Sequence, residues 1–130
     1  MKSAISRKGK VKGLDEEKWV LKAIGKSIKF RIPERKEPLR GIIRDRVAFK
    51  TRSISEITDF WDVIDLIEFD MNGKVKQAIR FGYYRRGKDG KLRWGSQTTL
   101  TEEINELKKL FKKAVKEKPW FKQLLEEVIG

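Results

Sequence analysis

Cysteine and histidine are both absent from this chain of 130 residues. Without cysteine there is no disulfide framework, no thiolate metal site and no thiol nucleophile. Without histidine the commonest zinc ligand and the usual near-neutral general base are missing as well. Ser53, Ser55, Ser96 and Thr98 therefore have no imidazole to activate them, and no lysine-assisted motif surrounds them. GKDGK lacks the spacing of a phosphate-cradling loop. No apolar run approaches the roughly 20 residues that a membrane-spanning helix requires. The basic start, MKSAISRKGKVKG, is not followed by the apolar core of a secretory signal. The expectation is a cytoplasmic protein with no membrane partner and no resident cofactor.

What the chain has in abundance is charge. Charged residues make up 39% and hydrophobic residues 38%, with 13 aromatics, enough for a packed core in one domain over residues 14–130. Heavy use of Lys and Glu has a thermophilic look, and thermophile surfaces are charged for reasons unrelated to binding. Such surfaces interleave signs, as residues 102–127 do. Elsewhere the signs separate. Residues 1–13 carry five cations and no acid, residues 51–70 one cation against six acids, and residues 71–95 eight cations against one acid. The net charge of +13 is concentrated, and a concentrated charge calls for an external counterion.

Residues 1–13 read as a flexible basic arm. Asp15, Glu16 and Glu17 suit the first turn of a helix whose apolar stripe is Trp19, Val20, Ala23 and Ile24, ended by Gly25. Ile28, Phe30 and Ile32 alternate with Lys29 and Arg31 as a strand stopped by Pro33. In LRGIIRDRVAFKTR, Arg40, Arg44, Arg46, Lys50 and Arg52 all fall on even positions. As one strand this segment stands five cations on one face, and as a hairpin turning at Arg44-Asp45 it splits them. Ser55 is placed to cap a helix with Ile57, Phe60, Trp61 and Ile64 at i, i+3, i+4, i+7. Asn72-Gly73 is a strong hairpin signal joining residues 64–70 to a strand at 75–86, and GKDG joins that strand to residues 91–98. Thr99-Leu-Thr-Glu102 has capping-box spacing for a helix through about Glu117, with Ile104, Leu107, Phe111, Ala114 and Val115 as its core stripe. Pro119 opens a last helix whose stripe is Trp120, Phe121, Leu124, Leu125 and Val128. The fold class is α+β: an antiparallel β-meander of about four to five strands with an N-terminal helix and one or two C-terminal helices packed on one face.

The hairpin AIRFGYYRRGKDGKLRWGSQTTL sets six cations beside four aromatic rings. A four-residue loop at 87–90 pairs Arg86 with Lys91, Tyr84 with Arg93 and Gly82 with Gly95. By alternation, Ile79, Phe81, Tyr83, Leu92 and Trp94 then form a core face. Arg80, Tyr84, Arg86, Lys91 and Arg93 form the opposite face, with the two glycines leaving a slot beside Tyr84. Bases could stack on Tyr84 while the arginines follow a phosphate backbone. The plainer alternative has Tyr84 covering the glycines as cross-strand packing, with the arginines merely solvated.

The expected function is therefore sequence-independent nucleic-acid binding, with single-stranded DNA or RNA preferred, through Arg80, Tyr84, Arg86, Lys91 and Arg93. Arg44, Arg46 and Arg52 are expected as further phosphate contacts. Two alternatives stand beside it. One is a protein–protein interaction module, with a second copy of the chain as one candidate partner. The other is a metal-dependent nuclease, in which Asp59, Asp62, Asp65, Glu68 and Asp70 hold magnesium and Lys50 or Asp45 completes the site.

Overall fold

In the computed structural model, the described residues are 14–52, 59–95 and 102–130. The basic arm assigned to residues 1–13, the caps at Ser55 and Thr99, and Ile57 lie outside them. The order is α1 (Leu14–Leu21), β1 (Ser27–Phe30), β2 (Leu39–Arg52), β3 (Asp59–Met71), β4 (Lys74–Arg86), β5 (Leu92–Trp94), α2 (Ile104–Glu117) and α3 (Pro119–Ile129). The five strands pair in sequence order, each antiparallel to the next, in the α+β meander that the turn signals predict. Asn72 and Gly73 take the φ values of +57° and +84° that a tight hairpin turn demands, and Asp70 Oδ1 accepts from the Gly73 amide.

Residues 39–52 form one strand, but its register against β3 slips between Ile43 and Asp45, so Arg44 is a bulge residue. A bulge inserts one residue and exchanges the faces beyond it. Arg40 pairs with Lys29, on the opposite face from Gly41, whereas Arg46, Lys50 and Arg52 fall on the same face as Trp61 and Asp65. The single row of five cations does not form.

The predicted helix at 55–64 is also replaced by strand from Asp59 onward. Helical spacing of Phe60, Trp61 and Ile64 arises because β3 is central and buried on both faces. Val63, Ile64 and Ile67 are all buried, so its apolar residues form a run instead of alternating. One face carries α2 and α3, where Val47 and Ile64 pack with Leu110, Ala114 and Phe121. The other carries α1, where Val20 packs with Ala48, Trp61 and Val63. That second face is concave. The Arg80 guanidinium of β4 lies 5.8 Å from the Phe30 ring of β1 and 4.6 Å from the Trp94 ring of β5, so the two edge strands curl towards each other.

The helix ends follow local chemistry. Glu103 caps α2, its side chain accepting from the Asn105 and Glu106 amides, and Pro119 occupies the first turn of α3 as expected. Leu110 belongs to the core, whereas Ile104 and Leu107 stay exposed. On α3, Phe121 is buried. The half-buried Trp120 beside it donates from Nε1 to Asp45 Oδ2 at 2.8 Å.

Candidate nucleic-acid interface

The β4–β5 hairpin closes one residue tighter than its sequence suggests. The Gly87 amide donates to the Lys91 carbonyl, and Gly90 takes φ +81°, leaving a three-residue loop. Tyr84 therefore pairs with Trp94, Arg85 with Arg93 and Arg86 with Leu92. A slip of one residue moves every β5 side chain to the other face. Arg93 leaves the face of Arg80, Tyr84 and Arg86, and Leu92 and Trp94 take its place. The slot between glycines is lost as well. A Cβ on Gly82 would run into the Trp94 ring, and one on Gly95 into the Tyr83 ring.

The concave face gathers Arg46, Arg80, Tyr84 and Arg86, but into a structural network. Arg46 donates from Nε and Nη2 to the two Asp65 oxygens at 2.6 and 3.1 Å, and from Nη1 to the Val20 carbonyl and the Tyr84 hydroxyl, both at 2.8 Å. Burial works against its charge, yet Asp65 and Tyr84 together hold Arg46 above the ordinary guanidinium range. Arg80 donates twice to Asp65 Oδ2. Arg86 bonds Glu16 of α1 and Asp59 of β3, and these two, Glu16 first, keep its proton more tightly held than usual. Tyr84 meets Trp19 and Trp94 edge-on at 5.5 and 5.2 Å, with Arg46 over its ring. The expected binding face is thus an internal cluster covered by α1. Its arginines are neutralised by carboxylates from elsewhere in the chain.

The remaining predicted residues scatter. Arg44 bonds Glu68 and, ahead of Gln77, holds that carboxyl below its usual range. Arg93 grips Asp89 within its own hairpin and draws that carboxyl down to about 2. Lys91 and Arg52 are exposed and form no salt bridge among the described residues, though Lys91 lies close enough to Asp89 to help lower its carboxyl. The acids of β3 do not converge either. Asp59 and Asp65 serve the arginines, Glu68 holds Arg44, and Asp62 is buried on the opposite face from Asp65. Asp45 is taken by Lys118 and Trp120. Among the described residues no three acids are arranged to hold a metal, so the nuclease-like grouping does not form there.

The cations left without carboxylates lie largely elsewhere. Between Lys18 and Pro33 the chain holds Lys18, Lys22, Lys26, Lys29 and Arg31 and no acid. All five are exposed: Lys18 on α1, Lys22 and Lys26 in the turn after it, Lys29 on edge strand β1 and Arg31 just past its end. Lys29 stands directly opposite Arg40, also exposed. Like charges facing across strands destabilise a sheet unless an anion intervenes. The run is legible in the sequence as an acid-free stretch, though its cations are less densely spaced than those of the hairpin. No protein-family model, curated protein or solved structure matches the chain.

Proposed function

We propose that this protein binds nucleic acid in the cytoplasm by phosphate contact, without reading base sequence. The main contacts are the exposed cations of α1 and β1, with Arg40, Arg52 and Lys91 as outlying ones. The carrying observation is the exposed run Lys18, Lys22, Lys26, Lys29 and Arg31, which no carboxylate among the described residues offsets. Lysines spread over a helix and an adjoining strand make point contacts that suit a polyanion with regularly spaced charge. The five cations of residues 1–13 directly precede α1 and extend the same charge along the chain. Arg46, Arg80, Arg86 and Tyr84 serve here as scaffold, which is a change of role from their place in the sequence reading.

The test is fluorescence anisotropy with single- and double-stranded DNA and RNA at two salt concentrations, with magnesium present so that cleavage is also detected. Binding should weaken steeply with salt and tolerate a change of base sequence. The combined Lys22→Gln, Lys26→Gln and Lys29→Gln variant should lower the slope of log affinity against log salt by about 0.7–0.9 per contact removed. Binding that ignores salt, or no binding to any of the four polymers, would sink the proposal.

A further inference from the structure

We infer that the exposed side of β4, formed by Phe81, Tyr83 and Arg85, is a stacking platform for unpaired bases, which deepens the function proposed above and rests on it. The three residues alternate with Gly82 and Tyr84 and so share the face that carries α2 and α3. The helices cover them only in part. Phe81 is 47% exposed, an unusual state for a strand phenylalanine, and Arg85 is exposed with no carboxylate partner among the described residues. Behind the platform the rings are fixed. Phe81 lies parallel to Phe111 of α2, with centroids 6.1 Å apart and planes 16° apart, and Phe60 meets Tyr83 edge-on at 5.9 Å. A ring held from behind offers its free side for stacking with little entropy left to lose.

Charge selects the occupant. Arg85 stands directly across from Arg93, so the upper end of the strip carries two facing guanidiniums and, among the described residues, Asp89 alone to balance them. A phosphate placed between those cations would relieve the repulsion. The acids nearby do not oppose it: Glu106 is engaged by Thr51 and Lys109, and Asp62 and Glu102 are buried against each other. A second copy of a chain with net charge +13 would bring like charge to the same place. A duplex keeps its bases stacked inside, so the platform distinguishes single strands from double.

The experiment compares the full chain with its Phe81→Ala, Phe81→Trp and Arg85→Gln variants, using a labelled thymidine 15-mer and a matched duplex, together with sedimentation of each protein. The expected result is a loss of roughly tenfold in single-strand affinity for Phe81→Ala, with duplex affinity unchanged and Phe81→Trp restoring it. Arg85→Gln should lower the single-strand salt slope by about 0.7. Equal single-strand affinity in wild type, Phe81→Ala and Arg85→Gln would overturn the platform while leaving phosphate binding in place. So would a wild-type dimer that Phe81→Ala dissociates, which would make the strip a self-association surface. Failure of the wild type to bind either polymer would overturn the underlying function instead.

Discussion

Arg46 meets both oxygens of Asp65 while both side chains are shut off from solvent. The same carboxylate also takes two hydrogen bonds from Arg80, so a single acid is shared by two guanidiniums. Removing one partner of a buried ion pair leaves the other charged in a poorly solvated place. Asp65→Asn should therefore cost about 3–5 kcal/mol in urea unfolding, with an unchanged denaturant slope. A loss below about 1 kcal/mol would show that water already screens this cluster.

Asp62 and Glu102 give a prediction in pH. The carboxylate oxygens of both are shut off from solvent, no N–H or hydroxyl group among the described residues reaches them, and the two carboxyls face one another. Burial first, then Glu102 and Glu106, pushes the Asp62 carboxyl up to about 9, so it keeps a proton that Glu102 accepts. An unfolded aspartate loses that proton near pH 4. Below about pH 4 both states hold it, so stability is at its fullest and does not change with pH through this group. Between about pH 4 and 9 only the folded state holds it, so stability falls as pH rises through that window. Asp62→Asn should raise the melting temperature at pH 8 and flatten its decline from pH 5 to 9. A decline of the same slope in the variant would assign the pH dependence to other groups.

Scaffold and contact roles should separate in one pair of assays. Arg86→Ala removes the partner of Glu16 and Asp59 and should destabilise by about 1–3 kcal/mol while leaving the affinity of the folded protein for DNA nearly unchanged. The lysine variants at 22, 26 and 29 should do the reverse, because those side chains are exposed and stand outside the ion-pair network. If Arg86→Ala binds an order of magnitude more weakly at a temperature where it remains folded, the concave cluster has a binding role after all.

Gly82 is needed for space. Its backbone lies under the Trp94 ring, and an added methyl group would meet that rigid ring well inside contact distance. Gly82→Ala should cost about 1–3 kcal/mol by overpacking. It should also change the near-ultraviolet circular dichroism of the tryptophans, and an unaltered spectrum and midpoint would mean that Trp94 moves aside freely.

The meander was legible because its turns announce themselves: Asn72-Gly73 and the glycines of the last hairpin are local signals, and local signals survive in sequence. The C-terminal helices were legible from Pro119 and the apolar spacing of 104–128. Two single-residue events were not. The bulge at Arg44 and the tighter closure at Gly90 each exchange the faces of the strand beyond them, and neither disturbs the pattern of residue types. With the faces exchanged, Arg46 moved into the core, Arg93 left the presumed site, and Trp94 settled onto Gly82. The pairing of Arg86 with Asp59 was also hidden, since residues 55–64 read as a helix and Asp59 had no strand neighbour there.

The position of α1 has a practical result for anyone trimming this protein. Its Val20 carbonyl and Glu16 carboxylate close over Arg46, Arg86 and Trp61. A shortened chain that begins at β1 would uncover guanidiniums and rings that the intact molecule keeps to itself. Any oligonucleotide affinity of such a fragment would run through a surface exposed only by truncation, and would say nothing about the whole protein.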